Sequence, residues 1–244
     1  MNFETTLFQN FINQLSYNSE IDSLIVCGSY ALGTATETSD IDLRIIVFDA
    51  CMISERRIIT IDGYQFSYAT YPESKYKSHI EQQFVNRSKF EARMLATGIV
   101  IYRHEKSVSS LPSFAKEIMT IPFKELSQSA LNRLRYKLRN QFEKVMKLSE
   151  ESGFFAYNYF CFLKNALQIY ANILGTEYIL EEKLEAYFDS EEFRELHQMQ
   201  NIDDEEFKVL FKTAIQTVQK ENLQQLYQHI EANIGVISLV NFSF

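Results

Sequence analysis

The spacing of apolar residues changes once along this chain, and that change constrains the fold more than any other feature. Up to about residue 103 the apolar residues fall in short β-branched runs: Leu24 to Cys27, Ile41 to Phe48 (IDLRIIVF), Arg57 to Ile61, Tyr64 to Tyr71, and Gly98 to Tyr102. Runs of this length and composition predict strands. Asp62-Gly63 between the third and fourth runs is a favoured two-residue hairpin turn. Helical spacing is predicted for residues 3 to 16 (Phe3, Leu7, Phe8, Phe11, Ile12, Leu15) and for His79 to about Ala96 (Ile80, Phe84, Met94, Leu95). After Pro112 and Pro122, two of only three prolines, the pattern is helical throughout. Leu131, Leu134, Leu138, Phe142 and Val145 form one stripe, Phe155 to Leu174 a long aromatic-rich helix, and Asp204 to Asn233 one or two more. The expected class is α+β, with an α/β core on a mixed sheet (1–111) followed by an all-helical bundle (112–244). The closing GVISLVNFSF adds an edge strand or packs on the bundle, and the sequence leaves both open. No internal repeat or low-complexity stretch is present.

The 244 residues are 46% hydrophobic and carry a formal charge of −8, enough apolar material for one large domain or two modest ones. That acidity argues against a nucleic-acid coat or an anionic membrane partner, and no extended basic stretch fits a template-directed polymerase. With no apolar run near the roughly 20 residues needed to span a bilayer and no secretory leader at the start, a cytoplasmic protein without a membrane partner is expected. Cys27, Cys51 and Cys161 are odd in number and lack C-x-x-C spacing, so they are expected as buried thiols. The four scattered histidines do not form a metal site.

Chemistry concentrates between Leu24 and Val47, where a buried strand ends in Gly28-Ser29, a polar loop follows, and Asp40-Ile41-Asp42-Leu43 enters the next strand. Glycine at a strand end lets the backbone approach a ligand, Ser29 supplies a hydroxyl, and a helix starting there would offer free N–H groups to phosphate. Asp40 and Asp42 are two apart in extended chain, so both carboxylates point to one face with Cα atoms about 6 to 7 Å apart. One divalent ion can bridge them. Carboxylates, water and a nucleotide phosphate are the oxygen donors that magnesium prefers at about 2.0 to 2.1 Å, and a two-ion site would hold its metals about 3.5 to 4 Å apart.

Strand, Gly-Ser, ten residues, then Asp-x-Asp resembles the signature of the DNA polymerase β nucleotidyltransferase superfamily. The resemblance is strong over residues 24 to 47 and extends in strand order to about residue 103. It implies that Gly28 and Ser29 contact the β- and γ-phosphates of ATP or another NTP, and that Asp40 and Asp42 are the catalytic, Mg2+-binding acids. The helical half is similar in layout to two-domain aminoglycoside-type (kanamycin) nucleotidyltransferases, which implies that Lys164, interrupting the apolar FFAYNYFCFLKNALQIYANIL, reaches the triphosphate. A lysine snorkelling out of an apolar face is the plainer reading of the same residue.

The family usually has a third carboxylate on a neighbouring strand, and here that strand reads Tyr64-Gln65-Phe66-Ser67-Tyr68, with Ser67 at the expected place. Either another acid such as Glu73 or Glu81 enters, or activity is weak or absent, because serine is not a general base at neutral pH without help. Asp62, in the turn, suits the role less. Arg133, Arg135, Lys137, Arg139, Lys144 and Lys147 are expected to be a solvated face, and the rings from Phe154 to Phe162 to be core, with some available to line a cleft. The leading expectation is an enzyme moving a nucleoside monophosphate, AMP from ATP, to a hydroxyl of a small molecule or protein. The alternatives are a catalytically impaired nucleotide-binding regulator and an antitoxin-like nucleotidyltransferase acting on a partner protein, and a homodimer is left open.

Overall fold

The structure, a computed structural model, describes residues 5–177 and 181–235. The expectation for GVISLVNFSF therefore lies outside the described residues beyond Gly235. The chain divides into one compact unit up to Ile121, joined by Leu196–Gln198, and a second containing the rest from Pro122.

The first unit is built on a five-stranded sheet of β1 (Ile21–Cys27), β2 (Ile41–Val47), β3 (Glu55–Ile61), β4 (Tyr64–Pro72) and β5 (Ile99–Arg103), in the order β3-β4-β2-β1-β5. β2 and β4 run parallel and the other neighbours antiparallel, giving the mixed sheet expected. The Asp62-Gly63 turn joins β3 to β4 with both residues at positive φ, +52° and +84°, as a two-residue turn matched to strand twist requires. β1 begins three residues earlier than its apolar run. Asp22 and Ser23 are buried there, and the Asp22 carboxylate accepts hydrogen bonds from the Ser23 and Ser107 hydroxyls at 3.2 and 2.9 Å.

Period-2 alternation sorts the strand side chains onto two faces. Leu24, Val26, Leu43, Ile45, Phe66 and Tyr68 face helix α1 (Thr5–Asn13), whose Phe11 stacks on Phe66 with centroids 4.8 Å apart. Ile25, Cys27, Ile46, Ala69 and Tyr71 face the other way, packed by α3 (Glu73–Val85), α4 (Phe90–Thr97) and α5 (Leu111–Thr120); a five-residue helix, α2 (Gly28–Leu32), follows β1. The helix expected over 79 to 96 is two helices. Asn86 ends α3 and Arg87 takes a left-handed φ of +59°. The Lys89 ammonium then donates to the carbonyls of Met119 and Ile121 at 2.8 and 2.7 Å, tying the start of α4 to the end of α5. Periodicity alone cannot see such a break, because the apolar stripe resumes in phase after it. Pro112 sits in the first turn of α5, where its missing N–H costs nothing.

The second unit is helical among its described residues: α6 (Gln128–Lys147), α7 (Gly153–Ile173), α8 (Leu184–Asp189), α9 (Glu191–Leu196), α10 (Glu205–Gln216) and α11 (Lys220–Ile234). Ser127, Ser152 and Asp204 cap α6, α7 and α10 through side-chain oxygens, each cap being worth about 1 kcal/mol. The core joins Leu138, Phe155, Phe162, Phe207, Phe211 and Ile230, with Phe142 stacked on Tyr227 at 4.0 Å. No helix among the described residues is long and apolar enough to cross a membrane.

Candidate active site

Cys27, the last residue of β1, pairs with Asp42 on β2. Gly28 then turns the chain at φ +62°, and a Cβ there would run into Asp42 Oδ2 and lie 3.3 Å from its Cγ. This position needs glycine twice, for the left-handed backbone and for the close approach of main chain to carboxylate. Gly33, at φ +74°, ends α2, and its N–H and that of Thr34 both reach the Ser29 carbonyl. The loop to Asp40 is closed on itself, with Thr36 N–H donating to Ser39 Oγ at 2.9 Å and Ser39 N–H to the Thr36 carbonyl at 3.1 Å. A strand end, one turn of helix and a stapled loop thus bring Gly28, Ser29, Asp40 and Asp42 to one end of the sheet.

Among the described residues neither the Asp40 nor the Asp42 carboxylate accepts a hydrogen bond or enters an ion pair, and the Ser29 and Ser67 hydroxyls make no hydrogen bond. Burial, followed by the neighbouring charge of Asp40, pushes the Asp42 pKa above the ordinary carboxylate value, with Arg44 opposing and Glu91 reinforcing the rise. Two half-buried carboxylates that repel each other and accept no donor are a fitting seat for a hard dication, which would remove both penalties.

Arg44 was not singled out by the sequence reading. It points to the same face as Asp42, is buried, and donates from Nε to Glu91 Oε1 of α4 at 2.5 Å, with a second, longer contact from Nη2 to Oε2 at 3.4 Å. The available signal was an arginine inside IDLRIIV, since a cation in a central apolar strand needs a buried partner. Its partner lies 47 residues away, too far for any local pattern to reveal.

The parallel register sets Ser67 beside Asp42, so the strand position adjacent to the paired acids is occupied by a hydroxyl. Neither suggested substitute fills it. Glu73 lies six residues further along from Ser67, about 20 Å at the rise of a strand, where it binds Lys77 at 2.6 Å and the Ser110 hydroxyl at 3.1 Å. Glu81 is exposed on α3, and no group of three His, Cys, Asp or Glu side chains that could hold a metal exists among the described residues. Asp62, in the hairpin, accepts from Asn10 at 3.1 Å. The donor set therefore fits one cation on Asp40 and Asp42 and supplies no third carboxylate for another.

In the second unit, Lys164 is exposed on α7 and pairs with Glu181 at 2.7 Å, a contact that raises its pKa. The aromatic run divides by helical face: Phe155, Tyr159 and Phe162 are core, whereas Phe154, Tyr157 and Phe160 are exposed. Arg133, Lys137, Lys144 and Lys147 are exposed and Arg139 pairs with Glu143 at 2.8 Å on that solvated face, whereas Arg135 turns to the Ile234 carbonyl. Of the three cysteines expected as buried thiols only Cys27 is fully so; Cys51 and Cys161 are half-buried.

No curated protein matches the chain. Among solved structures it is similar to the crystal structure of a nucleotidyltransferase-like protein from Exiguobacterium sibiricum 255-15, at 12% identity and a TM-score of 0.43, over 94% of this chain and 72% of that one. Residues 9–107 match the family model described as polymerase beta, nucleotidyltransferase, a span that holds all five strands and both halves of the Gly-Ser and Asp-x-Asp site. Residues 9–107 are accordingly a nucleotidyltransferase domain of the polymerase β superfamily.

Proposed function

We propose that the protein is a Mg2+-dependent nucleotidyltransferase that moves AMP from ATP to a hydroxyl of a small molecule or a protein. The observation that carries this reading is the close approach of the Gly28 backbone to the carboxylate of Asp42, beside an Asp40 that likewise has no partner among the described residues. Asp40 and Asp42 would hold the cation, which when bound neutralises phosphate charge and polarises the phosphoryl oxygens. The Ser29 hydroxyl and the amides at the start of α2 would bind the phosphate tail. The raised pKa of Asp42 makes the cation compete with a proton for the carboxylate, so affinity for the metal rises with pH until Asp42 is fully ionised.

A second reading rests on Ser67. With a hydroxyl beside Asp42, no side chain there accepts the proton of an attacking hydroxyl at neutral pH, and the chain would then bind Mg-nucleotide without turning it over. Radiolabelled ATP with Mg2+ and candidate acceptors separates the two. Label transferred by the parent protein and lost in Asp40→Asn supports the transferase. Tight Mg-ATP binding by calorimetry with no transfer, converted to transfer by Ser67→Asp, supports the binding protein. Failure to bind Mg-ATP at all would sink both. The role proposed for Lys164 at the triphosphate has its own check: Lys164→Gln should raise the KM for ATP several-fold while leaving the fold intact, since the residue is exposed.

A further inference from the structure

On the α3 side of the sheet, four residues of β4 beyond Ser67 and so about 13 Å away at the rise of a strand, the ring of Tyr71 gathers a second group of functional side chains. The Arg56 guanidinium carbon lies 6.0 Å from the ring centroid, the Lys75 ammonium 4.9 Å and the His79 ring centroid 5.0 Å. The three come from β3 and α3, and two of them are anchored: Arg56 Nε donates to the Tyr71 hydroxyl at 3.1 Å and Lys75 Nζ to the Ser54 hydroxyl at 2.5 Å. None of the three is in an ion pair among the described residues.

The acids nearby are committed elsewhere. Glu73 binds Lys77 and Ser110, Glu91 binds Arg44, and Asp49 accepts from the backbone and hydroxyl of Ser74. Arg57, next in sequence to Arg56, is instead neutralised by Glu55 at 3.0 Å. What remains is a convergent set of unused donors: both terminal nitrogens of Arg56, the remaining N–H groups of Lys75 and a ring nitrogen of His79. In a chain of net charge −8, uncompensated cations collected on one aromatic platform fit a compact multivalent anion.

We propose that Arg56, Lys75 and His79 around Tyr71 form a binding site for a phosphate group carried by a small molecule, separate from the Asp40/Asp42 site. Tyr71 serves as the platform that fixes the cations, and Arg56 supplies a planar fork that donates to two phosphate oxygens at once. Burial and then the charge of Lys75 lower the His79 pKa, Glu91 opposes them, and Arg56 adds a smaller lowering. A bound phosphate must reverse that trend, which gives the site a reporter of its own.

The test is an NMR titration of the full chain with inorganic phosphate, following the His79 ring resonances at constant ionic strength held with sodium chloride. Saturable shifts at roughly millimolar phosphate, together with a rise in the His79 pKa, are expected, and affinity should fall about three- to tenfold in Arg56→Gln/Lys75→Gln. Both residues are exposed, and unchanged His104 and His229 resonances establish that the variant is folded; Tyr71→Phe, which keeps the ring and removes the Arg56 anchor, gives an independent intermediate loss. Asp42→Asn should leave this binding unchanged while removing Mg-ATP binding, so the two sites fail separately. Shifts that follow phosphate linearly and match those of added chloride would overturn the proposal, as would saturation by a single-stranded oligonucleotide but not by phosphate.

Discussion

Asp42 in the first unit and Asp204 in the second are both aspartates at the edge of a packed core, and they are treated in opposite ways. Asp204 caps α10 through the Phe207 amide at 2.9 Å and receives the Tyr170 hydroxyl, His229 Nε2 at 2.8 Å and the Asn233 amide at 3.2 Å. Burial would raise its pKa, but the Tyr170 hydroxyl, the Phe207 amide and His229 more than reverse that, leaving the carboxyl below its ordinary value. Asp42 is also partly buried, has no donor among the described residues, stands beside another acid, and titrates above its ordinary value. A carboxylate that serves the fold is surrounded by donors. One left costly to ionise is what the proposed cation site calls for.

The comparison breaks most sharply in activity. Asp42→Asn keeps the size of the side chain and removes its charge, so nucleotidyl transfer should fall on the order of 10⁴-fold, while the melting temperature at neutral pH stays level or rises. A variant that loses stability instead would place Asp42 in the same class as Asp204. The next effect in size is expected at Glu91, the acid behind Asp42. Glu91→Ala leaves Arg44 charged and buried without a partner, which should cost about 3 to 5 kcal/mol in urea unfolding; Glu91→Ala combined with Arg44→Met should recover much of that.

Arg44 and Glu91 also mark the limit of what the sequence discloses. The strands, the Asp62-Gly63 hairpin and the Gly-Ser/Asp-x-Asp order are local patterns written in β-branched runs and turn residues, and all five strands fall where those runs lie, within three residues at either end. The ends drift where polar residues are buried for tertiary reasons, as with Asp22 and Ser23 in β1. Two features could not be read. The break between α3 and α4 depends on a left-handed Arg87, a residue type with no preference for that conformation. The face of each aromatic in α7 depends on which neighbours α10 and α11 supply, so Phe154 and Phe155 look equivalent in sequence although one is exposed and the other is core. At the site itself, the sequence placed Ser67 on the strand beside the paired acids, and the register sets it next to Asp42; that Glu73 opens α3, past the far end of β4, required knowing where the strand stops.

Asp204 sharpens the contrast from the structural side. Asp204→Ala removes a helix cap and strands the Tyr170 hydroxyl, so a loss of about 2 kcal/mol is expected, with no change in nucleotide binding attributable to the first unit. Because its folded pKa lies below the unfolded value, Asp204 stabilises the protein above the unfolded pKa of about 3.9, and that contribution disappears as pH falls through the folded value. Asp42 has the opposite sign: its contribution favours the folded state at low pH and is lost as pH rises through its raised folded pKa. Thermal melts between pH 3 and 7 should therefore show a flatter acid limb in Asp204→Asn and a gain towards neutral pH in Asp42→Asn. Parallel curves for all three proteins would mean that neither aspartate is perturbed.

The smallest effect is the most diagnostic. If Asp40 and Asp42 hold a cation that the unfolded chain does not, magnesium at ten times its Kd stabilises the protein by about 1.4 kcal/mol, by mass action alone. Calcium, larger and content with more flexible oxygen ligands, should also stabilise, whereas sodium at equal ionic strength should not. Asp42→Asn should abolish the shift and Asp204→Ala should keep it, although the second variant starts from a lower melting temperature. The double difference removes general salt effects, because both variants lose one carboxylate and only one of them loses the cation's seat. A shift that survives Asp42→Asn would move the metal elsewhere and leave the raised pKa of Asp42 as the cost of bringing Gly28 so close.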